Sequence, residues 1–232
     1  MNDLETYFDN NQGHLINKWR HYFGVYDRHL SRFRGGEVHL LEIGVRHGGS
    51  LQMWKDYFGS GARIFGVDID PDTRGLEDDQ IEIIIGDQED REFLRQLADR
   101  LPRIDVLLDN GGHTMAQQIN TFEVLFPKIA ADGIYICEAT HTSYWAAFGG
   151  GYRRRDTFIE YAKSLVDQLH AYHNQDGVEG WAVTDFTRTV ESMHFYDSMV
   201  VLEKTRQGEP HMVHKGRFRL PRLRPKSRQT RL

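Results

Sequence analysis

The segment Val38-His-Leu-Leu-Glu-Ile-Gly-Val-Arg-His-Gly-Gly-Ser50 constrains this chain more than any other. The apolar run 38–43 reads as a buried strand. It ends at Gly44, and Gly48-Gly49-Ser50 opens a helical pattern that runs to Phe58. A strand, a glycine turn and a helix start form a nucleotide-sized binding element, because glycine lets backbone approach a ligand and the helix start offers free N–H groups. The dinucleotide fingerprint G-x-G-x-x-G is not met, since the residues read E-x-G-x-x-x-G-G-S. At the strand end, Glu42 would repel a pyrophosphate. It suits a ligand carrying positive charge, such as a sulfonium or an amino group. A strand-to-helix turn without any ligand is the plain alternative.

Apolar and helical runs alternate beyond this point. Strands are expected at 38–43, 63–69, 81–85, 104–109 and 133–138, with helices at 50–58, 89–100, 114–130 and 156–172. Two later strands, Trp181 to Phe186 and His194 to Glu203, are expected to close the sheet. The pattern predicts an α/β fold with a mostly parallel, Rossmann-like sheet covered on both faces and an antiparallel edge strand. Residues 1–36 are aromatic and helical in pattern and are expected to form an N-terminal cap. The main domain is expected over 37–206, and a basic, flexible tail over 207–232. Eight Lys/Arg fall between Lys215 and Leu232, leaving 21 basic residues against 34 acidic ones, about −13, in the rest. That acidic body argues against nucleic-acid binding.

The chain has 232 residues, enough for one sizeable core. Its one cysteine, Cys137, excludes a disulfide framework and a Cys-based zinc site and is expected in the core. No apolar run approaches the ~20 residues of a membrane span, and Met-Asn-Asp does not open a signal peptide. A cytoplasmic location is the expectation.

In an open α/β sheet, ligands bind beyond the carboxyl ends of the strands. Each of the five expected core strands ends on an acid: Glu42, Asp68 with Asp70, Asp87, Asp109 and Glu138. Asp68 lies 24 positions after Gly44, near the offset at which a carboxylate holds ribose hydroxyls. Asp87 suits an adenine amino group and Gln88 the ring, although the pair also reads as the cap of the next helix. Together with the cation-suited Glu42, these features point to S-adenosylmethionine. Its expected contacts are Glu42, Gly44, Arg46, Gly48, Ser50, Asp68, Asp87, Gln88 and Asp109. In Asp109-Asn-Gly-Gly-His113, two glycines permit close approach to a methyl donor, and a neutral His113 can accept a proton from a hydroxyl. The alternative for His113 is a polar residue at a helix start. His141, Tyr144 and Trp145 could form an aromatic wall for a sugar or pack the core, and Gly149-Gly-Gly151 implies a mobile loop.

The segments Leu41-Glu-Ile-Gly44, His47-Gly-Gly-Ser-Leu51, Gly66-Val-Asp-Ile-Asp70, Gly86-Asp-Gln88, Gly112-His113 and Thr140-His-Thr-Ser-Tyr-Trp145 resemble class I S-adenosylmethionine-dependent methyltransferases. The match is to the metal-assisted sugar O-methyltransferases of the macrocin and mycinamicin type, over about Tyr22 to Lys204. Among such enzymes, mycobacterial methylmannose polysaccharide methyltransferases offer one conceivable member. The resemblance implies methyl transfer to a sugar hydroxyl of a glycoside or polysaccharide precursor, with His113 as general base. It also implies a divalent cation, Mg2+, held by residues 110, 138 and 139. The family reads Asp-Asp-Gly-x-His and Glu-Asp at these places, whereas this chain has Asn110 and Ala139. Asn110 and Glu138 then make a weak Mg2+ site. A homodimer is a further expectation. The rival reading is a catalytically weakened S-adenosylmethionine-binding partner protein.

Overall fold

The computed structural model describes residues 2–216, and most of the basic extension, residues 217–232, lies outside the described residues. Seven strands form one sheet in the order β3-β2-β1-β4-β5-β7-β6. They are β1 (Val38–Ile43), β2 (Ala62–Asp68), β3 (Ile81–Ile85), β4 (Val106–Asp109), β5 (Ile134–Glu138), β6 (Val190–Tyr196) and β7 (Met199–Lys204). The first five are mutually parallel, and β7 runs antiparallel to β5 and β6. The strand order reverses at β1, which sits between β2 and β4. This is the switch point at which an open sheet leaves a crevice.

The strands are apolar on both sides because both faces are covered. Val38 and Leu40 of β1 join one core with Leu51 and Trp54 of α3 (Gly49–Phe58), while Leu41 and Ile43 join the other. The second core includes Leu94 and Leu97 of α4 (Arg91–Arg100), Phe122 of α5 (Met115–Leu125) and Phe158 of α6 (Phe158–Leu169). Two N-terminal helices, α1 (Asp3–Asn10) and α2 (Tyr22–Leu30), place Leu4, Phe23, Tyr26 and Leu30 into the first core. Burying several large side chains, at about 1.5–3 kcal/mol each, ties this segment firmly to the sheet.

Three expectations need correction. Residues 1–36 are not continuously helical, because 11–19 form an extended loop between α1 and α2. Trp181 to Phe186 is not a strand: residues 181–184 have no regular structure, and Thr184 caps the short helix α7 (Asp185–Thr189) by accepting from Thr187 N at 3.4 Å. His194 to Glu203 is a hairpin rather than one strand. Asp197-Ser198 turns the chain between β6 and β7, with Ser198 in the left-handed region at φ 61°. Cys137 is buried in the core, as expected.

Candidate active site

The register brings the strand ends to one edge: Ile43 pairs with Val67 and Asp109, and Asp109 pairs with Cys137. A cavity of about 660 Å³ opens there, within the range that holds small-molecule ligands. Gly44, Arg46, Asp68, Asp87, Gln88, Asn110, His113, Glu138, His141 and Trp145 all line it. Glu42, Gly48, Ser50, Asp109 and Tyr144 do not, and each has a physical reason.

The glycine turn serves two purposes. Gly44 has φ 96°, and a Cβ there would lie 2.2 Å from the Asn110 carbonyl oxygen, so only glycine lets the two loops meet. At Gly49, a Cβ would lie 2.4 Å from the carbonyl oxygens of both His14 and Leu15. The N-terminal loop is thus laid over the start of α3. That covers the helix terminus expected to face the ligand and keeps Gly48 and Ser50 out of the cavity. Ser50 instead donates to Glu42 Oε2 at 3.0 Å, and Trp54 Nε1 donates to the same oxygen at 3.1 Å. Glu42 is fully buried and bound by protein groups, so its carboxylate does not line the cavity.

Asp68 Oδ2 accepts from Val45 N and Arg46 N, both at 2.9 Å, which fixes the turn against β2. Asp87 closes a local turn by accepting from Glu89 N at 2.8 Å, and the cap of α4 is Asp90, not the Asp87-Gln88 pair. Gln88 is spent on protein. Its Nε2 donates to Asp109 Oδ1 at 2.6 Å and to Thr121 at 2.9 Å, and its Oε1 accepts from Gly112 N at 3.0 Å. Asp109 lies beneath this bridge with Tyr135, 3.3 Å away, rather than in the cavity, and burial pushes its carboxyl up to about 7.

His113 sits just before α5 in the left-handed region, φ 62°. Its carbonyl accepts from Thr142 Oγ1 at 2.9 Å. Its Nδ1 is buried without a hydrogen-bond partner among the described residues, a cost that a bound group would relieve. Burial, then Lys18, His141 and Arg46, lower its pKa to about 4. The ring is therefore neutral at pH 7. The shift has a measurable consequence. Between about pH 4 and 6.5 an unfolded histidine binds a proton that the folded one refuses, so His113 costs stability as pH falls through this window. From pH 7 to 4.5 the protein should lose about 2 kcal/mol more stability than the His113→Gln variant in denaturant titrations, allowing for partial solvent screening. Parallel pH profiles for the two would contradict the shift. Asp109, raised instead of lowered, works in the opposite direction between its unfolded value and about 7.

The aromatic wall has different members from those expected. His141 lies edge-on to Trp145, with ring centroids 4.5 Å apart, and edge-on to Trp19 at 5.8 Å. Trp19, from the N-terminal loop, and Phe148 line the cavity, while Tyr144 points its exposure elsewhere. The Gly149–Gly151 turn is pinned, not free: Gly150 N donates to Trp145 O at 2.9 Å and Gly151 N to Ser143 O at 2.8 Å.

Lys18 was not foreseen. Its side chain is 2% exposed, and its Nζ lies 2.7 Å from Glu138 Oε1 and 3.3 Å from Glu42 Oε1. Burial opposes the ammonium's charge, but Glu138 and Glu42 outweigh it and hold the pKa above the ordinary lysine value. Tyr26 OH donates to Glu138 Oε1 at 2.6 Å. With its amide oriented to satisfy both neighbours, Asn110 accepts from Lys18 Nζ at 3.1 Å and donates to Glu138 Oε2 at 3.3 Å. These groups do not suit a divalent cation. Asn110 is neutral, the Ala139 side chain has no metal-ligating atom, and both Glu138 oxygens are engaged by protein donors.

A family model described as a methyltransferase domain matches residues 41–138. The 8-demethyl-8-alpha-L-rhamnosyl tetracenomycin-C 2'-O-methyltransferase of Streptomyces olivaceus is 37% identical over 201 residues, covering 82% of this chain and 52% of that protein. Demethylmacrocin O-methyltransferase of Streptomyces fradiae is 36% identical, covering 82% and 51%. The MycE methyltransferase of the mycinamycin biosynthetic pathway, solved in complex with Mg and SAH, superposes with a TM-score of 0.77 at 31% identity, covering 88% of this chain and 54% of MycE. The chain spans about half the length of the curated relatives it matches. No helix among the described residues is long and apolar enough to cross a membrane.

Proposed function

The chain belongs by sequence and fold to the class I methyltransferases, alongside the macrocin and mycinamicin enzymes, and from that premise we propose that it transfers a methyl group from S-adenosylmethionine to a sugar hydroxyl. The observation that carries this reading is one cavity lined by the strand-end residues Gly44, Asp68 and Asp87, by the aromatic groups of Trp19, His141 and Trp145, and by His113. The acceptor class runs from a small glycoside to a polysaccharide precursor. A cytoplasmic homodimer is part of the same reading.

The step is an in-line displacement. The acceptor oxygen forms a bond to the methyl carbon, the carbon–sulfur bond breaks, and the sulfonium becomes a neutral thioether. The hydroxyl proton passes to the neutral His113 ring. The protein contributes mainly by holding the two reactants in line in a confined site. Aromatic faces suit the apolar side of a sugar ring and keep bulk water from the methyl donor.

The reading is tested by methyl transfer from labelled cofactor to a panel of rhamnosides, mannosides and related glycosides. Methylation of at least one sugar hydroxyl is expected, and no transfer despite tight S-adenosylhomocysteine binding would refute it. Asp68→Ala should weaken S-adenosylhomocysteine binding at least tenfold in calorimetry, because it removes a carboxylate from the cavity and the anchor of the 45–46 backbone. Unchanged affinity would remove Asp68 from the cofactor site.

A further inference from the structure

We propose that the Lys18 ammonium is the resident cation of this site, taking the place that the family pattern gives to a divalent metal, so that the chain works without Mg2+. The metal pattern falls on residues 110, 138 and 139, and Lys18 Nζ lies between two of them, 2.7 Å from Glu138 and 3.1 Å from the Asn110 amide oxygen. It also reaches Glu42 at 3.3 Å, so its three N–H donors have three oxygen partners.

Charge gives a second argument. A dication wants several carboxylates, and the family pattern supplies them at 110 and 139. Here both are gone, and two buried acids, Glu42 and Glu138, remain beside one ammonium. Two carboxylates against one ammonium leave the buried site at about −1, a balance a single cation meets without a dication. Asn110 and Lys18 both bind Glu138, so residue 110 and the ammonium act on the same carboxylate. Asn110 fits this account particularly well: an aspartate there could accept from Lys18 but could not donate to Glu138 Oε2, as the amide does at 3.3 Å.

Lys18 is carried by the loop that is seated on Gly49, and Tyr22 and Tyr26 from the adjoining helix donate to or accept from the same strand end, with Ala139 N donating to Tyr22 OH at 3.1 Å. A metal at Glu138 would have to expel an anchored side chain. Because all three ammonium protons are committed, Lys18 acts through its field and by holding Glu138 and Asn110 in place beside His113. It is a positioning residue for the proposed methyl transfer.

The proposal rests on the transferase reading, and the test separates the two. Mn2+ alone is titrated into the full chain by calorimetry, and turnover is measured with EDTA and with added Mg2+. Wild type should bind no Mn2+ at millimolar concentration, and its turnover should change less than twofold under either treatment. The triple variant Lys18→Ala, Asn110→Asp, Ala139→Asp should bind one Mn2+ and become metal-dependent by at least tenfold. Lys18→Met should lose at least tenfold in turnover with no rescue by Mg2+. One Mn2+ bound by wild type, or full metal-free turnover of Lys18→Met, would overturn the proposal. If the triple variant fails to fold, the wild-type titration and Lys18→Met still decide. If no glycoside is methylated, the Mn2+ titration judges Lys18 while the transferase reading fails alone.

Discussion

His113→Ala is expected to lower turnover by about 10²–10⁴-fold, the usual contribution of a positioned general base, while S-adenosylhomocysteine affinity stays within about threefold. The ring is neutral at pH 7 because burial and the nearby Lys18 disfavour its protonated form. It lines the cavity, and its buried Nδ1 finds no protein partner among the described residues. Alanine tolerates the left-handed backbone at this position less well than histidine does. His113→Asn is the matched control, since asparagine accepts such a φ but cannot take a proton at neutral pH. Both variants should be equally slow, with the asparagine form nearer to wild type in melting temperature. If the asparagine form kept more than a tenth of the activity, His113 would not be the base.

The second large effect is on stability. Glu138→Ala should cost about 3–5 kcal/mol, because it leaves the buried Lys18 ammonium short of a partner and strips Tyr26 of its acceptor. For a chain of this size that corresponds to a melting temperature lower by roughly 6–20 °C. In denaturant the midpoint should fall with little change in slope, as expected when native contacts are lost without a change in the unfolded state. The paired variant Lys18→Met, Glu138→Gln should cost clearly less than the two single changes added together, because it removes the unpaired charge as well as the pair. Strict additivity would mean that the contact contributes nothing.

Much of the sheet was readable from sequence because parallel strands buried on both faces leave mostly apolar runs. Val38–Ile43 and Ile81–Ile85 are such runs, each bounded by a polar or glycine turn, and they lie where expected. The edge was less readable. The β6–β7 hairpin turns on Asp197-Ser198, which lacks the glycine that usually marks a two-residue turn, so the run from His194 to Glu203 looked continuous. The Trp181–Phe186 stretch has strand-like composition but no neighbour to pair with.

At the site, position along the chain predicted which residues share an edge but not what each side chain does there. Glu42 and Asp109 end their strands as expected, yet both turn into the protein, where Trp54, Ser50, Gln88 and Tyr135 engage them. A strand end admits either direction, and only packing chooses between them. Lys18 had no local signal, since it is one basic residue in an aromatic segment and meets Glu138 across 120 positions. The available clue was indirect: two acids expected to be buried need a cation, and the residues at 110 and 139 had given up their claim to a metal.

The seat of the N-terminal loop on Gly49 has a practical side. What touches that glycine is main-chain carbonyl, from His14 and Leu15, so the seat is indifferent to the side chains the loop carries. Residues 11–19 carry Trp19 into the cavity and Lys18 against Glu138, so the main-chain seat on Gly49 sets where both side chains enter the site. A side chain introduced at Gly49 would therefore displace the whole loop, moving Trp19 and Lys18 together although it touches neither.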